Sequence, residues 1–160
     1  MQKTFLLQFQ TQPTQEDKMT PEQYLVESQK FYNPNHENRI FYCEIGMFSV
    51  AGRILETLKG RLNSGIGLDK ERFISELGEL LFVLGEMSSC TLSSFTFIHC
   101  DWSRHKSIVP GGYTGCAVSL LGLLKSHDIE RRIQLLSVAC SHLGITWEQV
   151  SDASIKNLKG

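Results

Sequence analysis

Two glutamates three residues apart, Glu76 and Glu79, have the spacing that most plainly suggests chemistry in this chain. Residues i and i+3 of a helix lie on one face, so both carboxylates would point the same way. Carboxylate oxygens suit Mg²⁺, and a bound Mg²⁺ can hold a phosphate chain and activate a water molecule. The alternative, which the spacing alone favours, is a solvated or ion-paired helix face.

Other side chains invite different chemistry. Cys90, His99, Cys100 and His105 could bind zinc, but their spacing matches no standard finger or ribbon, so we expect no zinc site. Several aromatic residues could stack on a nucleotide base, although core packing is their more common role. They are Phe95, Phe97, Trp102 and Tyr113. The sequence contains no phosphate-binding P-loop, dinucleotide fingerprint or nucleophile elbow.

The composition is that of an ordinary globular protein. A length of 160 residues favours one domain, and a net charge of −1 without a long basic run gives no reason to expect nucleic-acid binding. No apolar run approaches the roughly 18 residues that span a membrane, and we expect no signal peptide. Five cysteines without a CxxC pair favour reduced thiols and a cytoplasmic location.

The elements that must position these residues are predicted to be helices, which makes the fold class all-α. Periodic apolar residues and cap signals predict helices near 21–31, 39–62, 70–89, 115–126, 128–142 and 147–158. The expected N-caps are Thr20, Asp69, Asp128 and Thr146. Residues 1–19 are predicted to be an arm, with an alternating stretch at 5–9, and 20–160 a helical domain. The segment 91–114 fits either a helix or a strand.

Three segments resemble the MazG-like, all-α nucleotide pyrophosphohydrolases. They are MTPEQYLVESQKFYN, AGRILETLKGRLNSGIGLDKERFISELGELLFVLGEM and SVACSHLGITWEQVSDASIKNLKG. They are similar, in order, to the family's opening helix, its two central helices with their connecting loop, and its closing turn and final helix. Together they cover roughly half of the chain. The resemblance implies a helical bundle, with a four-helix core completed by internal duplication or by oligomerisation.

The resemblance also implies a degenerate metal site. In that family an ExxE pair faces an ExxD pair, and the four carboxylates hold Mg²⁺ for cleavage of the α–β phosphoanhydride of a nucleoside triphosphate. The second pair matches Glu76 and Glu79, but the first falls at Val50 and Arg53, where both carboxylates are missing. The acidic residue three positions on is retained as Glu56. A metal site of Glu56, Glu76 and Glu79 is therefore implied only if the protein is active.

The final helix carries a further implied ligand contact. Lys156 is retained as a phosphate-binding side chain, whereas Ser154 stands where the family tends to carry an asparagine. Residues 113–160 can also be interpreted as a second, shorter copy of 20–106. In that reading Asp128 and Arg131 take the places of the two glutamates, and Lys156 lies opposite Arg104. An inserted helical hairpin is the alternative.

Three functional hypotheses follow. The first is binding, for sequestration or sensing, of a nucleotide or nucleotide-derived ligand by a protein that has lost hydrolysis and requires no cofactor. The second is a working Mg²⁺-dependent pyrophosphohydrolase with a rearranged site, to which Glu44 or Glu86 contributes. The third is a protein-interaction module. The ligand-binding residues implied are Arg53, Glu56, Glu76, Glu79, Arg104 and Lys156.

Two structural expectations complete the sequence interpretation. Arg53 should lie within ion-pair distance of Glu76 or Glu79, because the resemblance packs those helix faces together. The apolar helix at 115–126 should be buried, either against the chain's own repeat or against a second subunit. We therefore expect a homodimer or larger assembly unless 115–143 completes the bundle within one chain.

Overall fold

The computed structural model describes residues 18–33, 37–91, 93, 95 and 111–160. Every regular element in these residues is helical, which confirms the predicted all-α class. We number the helices α1 (Pro21–Ser28), α2 (Arg39–Ser64), α3 (Lys70–Thr91), α4 (Gly112–Lys125), α5 (Ile129–His142) and α6 (Trp147–Lys159). A 3₁₀ turn, Gln29–Phe31, follows α1. The alternating stretch at 5–9 lies outside the described residues.

Local side-chain chemistry explains where the helices begin. Thr20 and Thr146 each form a capping box, in which the threonine hydroxyl accepts from a backbone N–H and a glutamine three residues on accepts from the threonine N–H. Asp128 accepts from the backbone N–H of Glu130, and Asp69 from that of Arg72. All four predicted N-caps thus fulfil that role, because each supplies an acceptor to otherwise unpaired amides.

The helix ends differ from the prediction by up to three residues. Helix α2 continues to Ser64, two residues beyond the predicted end, and stops at Gly65, whose φ of 64° suits glycine. Helix α4 begins three residues early, at Gly112, because the extended Gly111 already serves as its N-cap. Helix α3 ends at Thr91 rather than Ser89.

Packing places α3 at the centre of the bundle. It runs antiparallel to α2, since Arg39 pairs with Glu86 and Arg53 with Glu79, and it also lies against α6. The α4–α5 hairpin packs on α2 and α3. The hairpin buries Cys116, Leu120 and Leu123. The prediction that α4 is buried holds for this face only, because Val118 and Leu121 remain 47% and 46% exposed on its other side. None of the described helices combines the length and the apolar character needed to cross a membrane.

Candidate functional site: a cavity between α3 and α6

The central contact of the predicted site joins α2 to α3. The Arg53 guanidinium donates through Nη2 to Oε2 of Glu79 over 2.6 Å. This confirms the expectation that Arg53 lies within ion-pair distance of the glutamate pair. Both side chains remain accessible, with 49% of Arg53 and 38% of Glu79 exposed. An ion pair in contact with water can exchange partners, because each charge can be resolvated as the pair separates.

A close helix crossing sets the position of Glu79 relative to α6. A Cβ added at Gly78 would lie 2.7 Å from the backbone nitrogen of Ser154, so only glycine permits this approach. Beside the crossing, Ser75 and Asn157 exchange two hydrogen bonds of 3.0 Å. The two helices are therefore held in register at the point where their side chains border a cavity.

That cavity has a volume of about 640 Å³ and opens to solvent. Its polar wall includes Glu79 from α3 and Lys156 from α6, two of the residues that the sequence predicted to bind ligand. Its apolar wall is formed by Val50, Phe82, Val83 and Leu158. Arg53 does not line the cavity itself, but its guanidinium is hydrogen-bonded to Glu79, which does. The cavity thus brings Glu79 and Lys156 together, and Arg53 is linked to it through Glu79.

The other member of the glutamate pair has a different environment. Glu76 is 5% exposed, and its Oε1 lies 3.4 Å from Nε of Arg72, one turn earlier on α3. Its Oε2 is buried without a hydrogen-bond partner. Glu76 does not line the cavity that Glu79 lines. The spacing predicted that both carboxylates lie on one helix face. Positions i and i+3 nevertheless differ by about 60° around the helix axis, so the two side chains contact different neighbours.

The metal set of Glu56, Glu76 and Glu79 is not assembled. Glu56 is 77% exposed and its nearest charge is Lys59, at 3.9 Å on its own helix. Among the described residues, no group of three acidic, histidine or cysteine side chains is arranged to hold a metal ion. The predicted set fails because Glu56 lies on the solvent side of α2, whereas Glu76 points into the bundle.

The two carboxylates suggested for a rearranged site are also paired with arginines. Glu44 lies 2.6 Å from Nη1 of Arg132, and Glu86 lies 3.1 Å from Nε of Arg39. Every carboxylate that the sequence offered as a metal ligand therefore has a basic partner within 4 Å. For the four nearest the bundle interior that partner is an arginine, and a divalent cation would have to displace it.

Several sequence candidates turn out to be structural. Ser154 borders the cavity, but it is buried and its hydroxyl is hydrogen-bonded to that of Tyr24 over 2.8 Å. Burial raises the pKa of the Tyr24 hydroxyl, which keeps it neutral in this bond. Phe95 stacks on Tyr24 and meets the edge of Trp147, which is core packing. Asp128, matched to Glu76 in the repeat interpretation, is a helix cap.

Cys90 belongs to a polar cluster between α2 and α3. Burial and the nearby Glu86 carboxylate raise the pKa of the neighbouring Cys43 thiol to about 12. The pKa of Cys90 is raised as well, chiefly by burial. Both sulfurs are therefore neutral thiols near pH 7. The remaining candidates, Arg104, Phe97, His99, Cys100, Trp102 and His105, lie outside the described residues.

Sequence reasoning missed Phe82 and Gly78. Phe82 forms part of the cavity wall and contacts the ring of Tyr32 at 5.5 Å between centroids. Its signal in the sequence was weak, because Phe82 lies among leucines and valines that all suit a core helix. Gly78 stands between Glu76 and Glu79, and a glycine inside a strong helical pattern was the available sign of a close helix contact.

We compared the chain with protein families, curated proteins and solved structures. No family model matches the chain, and no curated protein or solved structure is significantly similar to it. The geometry of the cavity therefore carries the functional argument.

Proposed function

We propose that the protein binds a phosphorylated small molecule of the nucleotide class in the cavity between α3 and α6, without metal-dependent hydrolysis. The observation that carries the proposal is the Arg53–Glu79 pair at a cavity that Lys156 also lines. Arginine binds phosphate oxygens through paired N–H donors, and lysine adds a mobile point charge. Sequestration or sensing of such a ligand is the role that we propose for a MazG-like protein of this kind.

Charge favours an anionic ligand over a metal ion. Arg53 and Lys156 contribute two positive charges and Glu79 one negative charge, so these three side chains carry a net charge of +1. A phosphate group that approaches Arg53 takes the place of the Glu79 carboxylate, and the exposure of both partners makes that exchange accessible. A divalent cation at the same place would meet the guanidinium within a few ångströms, where repulsion is on the order of several kcal/mol at an effective dielectric near 20.

Size and lining suit a nucleotide. Small-molecule sites typically enclose about 300–1,000 Å³ and combine apolar walls with a few polar groups. The cavity here is about 640 Å³. Phe82 and Val83 offer an apolar surface for a base, since aromatic rings stack on bases irrespective of sequence.

The pairing of the acidic groups supports the proposed loss of hydrolysis. Mg²⁺ requires oxygen ligands that converge on it, and its affinity rises with their charge. Glu76 and Glu79 are instead paired with Arg72 and Arg53. We therefore expect Mg²⁺ to bind only together with the phosphates of the ligand. The four described cysteines are free thiols, and we include a cytoplasmic location in the proposal.

The test is isothermal titration with ribo- and deoxynucleoside mono-, di- and triphosphates, each with Mg²⁺ and again with excess chelator. We expect at least one of these ligands to bind under both conditions, and Arg53→Glu and Lys156→Gln to weaken that binding. We also expect negligible pyrophosphate release with Mg²⁺ or Mn²⁺. Robust release that Glu79→Ala abolishes would overturn the proposal and favour the pyrophosphohydrolase. Absence of binding to the whole panel would also overturn it.

A further inference from the structure

A groove of about 500 Å³ adjoins the candidate cavity, and Lys156 and Asn157 belong to the walls of both. The groove lies between the first turns of α3 and one side of α6. Its other polar side chains are Asp69, Glu71, Arg72, Ser75 and Gln149, and its apolar ones are Ile74 and Ala153. Because two residues are common to both walls, one elongated ligand can occupy the cavity and the groove together.

The junction between the cavity and the groove offers hydrogen-bond donors. Lys156 forms no ion pair with another described residue, so its ammonium charge is available to a ligand. The amide of Asn157 uses one N–H and one oxygen lone pair in its two bonds to Ser75, which leaves a second N–H to donate. Phosphates bound at Arg53 can therefore continue across Lys156 and Asn157 into the groove.

The groove has the composition of a sugar site instead of a base site. None of the described residues that line it is aromatic, whereas a base gains most from an aromatic or apolar face. Glu71 forms no hydrogen bond or ion pair with another described residue, so both of its carboxylate oxygens can accept. The amide oxygen of Gln149 caps α6, but its NH₂ group remains able to donate. A sugar hydroxyl both donates and accepts, and it matches a wall that supplies both kinds of group.

The charges of the groove also favour an uncharged group. Asp69 and Glu71 contribute two negative charges, and Arg72 and Lys156 contribute two positive charges, so this wall is neutral overall. Glu71 lies four residues before Ser75, about 6 Å along the axis of α3 from the junction. A phosphate that went beyond the junction would approach the Glu71 carboxylate. The phosphates therefore belong at the junction and a neutral group belongs beyond it.

We propose that the ligand is a nucleoside diphosphate sugar, whose base lies against Phe82 in the cavity and whose sugar lies in the groove. The diphosphate between them binds Arg53 and Lys156. The inference rests on the proposed nucleotide-binding function and narrows its ligand class. Phe82 lies eleven residues after Glu71, about 16 Å along α3, so the two ends of this ligand contact different turns of one helix. The groove alone has the volume of a small-molecule site, which is typically about 300–1,000 Å³.

The test is isothermal titration of the full chain with matched pairs of ligands in excess chelator. The pairs are ADP and ADP-glucose, UDP and UDP-glucose, and GDP and GDP-mannose, with diadenosine tetraphosphate as a ligand that carries a second nucleoside instead of a sugar. We expect at least one sugar nucleotide to bind about tenfold or more tightly than its own diphosphate, because its hydroxyls pair with the groove.

Glu71→Ala removes the free carboxylate of the groove. It should reduce the tenfold preference to below about threefold and leave the dissociation constant of the diphosphate within about twofold of the wild-type value. Glu22→Ala is the matched control, because Glu22 is also a glutamate in the first turn of its helix but lines neither the cavity nor the groove. It should leave the preference unchanged. Circular dichroism of both variants should match the wild type, since both positions are exposed.

The outcomes separate this inference from the function on which it rests. Absence of binding to all of these ligands would overturn both. Diphosphates that bind as tightly as their sugar nucleotides would retain the nucleotide site and overturn the assignment of the groove, as would a preference that Glu71→Ala does not lower. Tighter binding of diadenosine tetraphosphate than of every sugar nucleotide would assign the groove to a second nucleoside and overturn the sugar.

Discussion

Two arginine–glutamate pairs in this fold have the same shortest N–O distance, 2.6 Å, in different surroundings. Arg132 is 4% exposed. Besides its bond to Glu44, it donates to the backbone oxygen of Ser126 over 2.8 Å and contacts the sulfur of Met87. Arg53 is 49% exposed, and Glu79 is its acidic partner at a cavity. The N–O distance therefore does not distinguish the two pairs. Their exposure does, because an ion pair can separate only where water can solvate both charges.

The pair of Arg132 and Glu44 is structural. It ties α5 to α2, and the bond to Ser126 fixes the turn between α4 and α5. A buried guanidinium cannot be resolvated where it lies, so its counter-charge must stay. The pair of Arg53 and Glu79 has no such constraint. On this difference rests our proposal that one pair stabilises the bundle, whereas the other exchanges its carboxylate for a phosphate.

The largest expected effect is on the Arg132–Glu44 pair, in which the guanidinium is buried and the Glu44 side chain is 32% exposed. Glu44→Gln keeps the shape of the side chain but leaves the Arg132 charge buried without a carboxylate, which we expect to lower the free energy of unfolding by about 3 kcal/mol. Urea denaturation followed by circular dichroism measures this loss. Glu56→Gln is the control, since Glu56 is 77% exposed and faces Lys59 at 3.9 Å. A loss below about 1 kcal/mol for Glu44→Gln, equal to the control, would remove the distinction between the two pairs.

A smaller effect is expected at the exposed pair. Arg53→Gln should change the free energy of unfolding by less than about 1 kcal/mol, because exposed ion pairs contribute little to stability. The same denaturation measurement applies. A loss as large as that of Glu44→Gln would show that Arg53 is needed to hold α2 on α3, and its availability to a ligand would then be in doubt.

The helical framework was predictable because its signals are local. Thr20, Asp128 and Thr146 cap the helices they were expected to cap, and the apolar period of 3.6 residues located the six helices of the described residues. The Arg53–Glu79 contact was also predicted, since the resemblance specified which faces of α2 and α3 meet. The contact confirms which faces of α2 and α3 pack together. Membership of the MazG-like family stays a prediction.

What the sequence could not supply is the tertiary partner of each side chain. Glu44 and Glu86 were considered as metal ligands, yet each faces an arginine that is remote in sequence or lies on another helix. Phe41 and Phe48 shared the helical period of the core residues but point outward. A period of 3.6 residues locates apolar positions without showing which of two apolar stripes faces the bundle.

The central claim is that Arg53 binds the phosphate of the ligand and pairs with Glu79 when no ligand is bound. Titration of the Glu79→Gln variant with a nucleotide tests this claim most directly. The titrant is the tightest-binding nucleotide of the panel, with excess chelator present. Removing the competing carboxylate should tighten binding by about tenfold, equivalent to 1.4 kcal/mol, while Arg53→Glu weakens it. Weaker binding by Glu79→Gln, or binding that requires Mg²⁺, would contradict this role and assign Glu79 to a metal site.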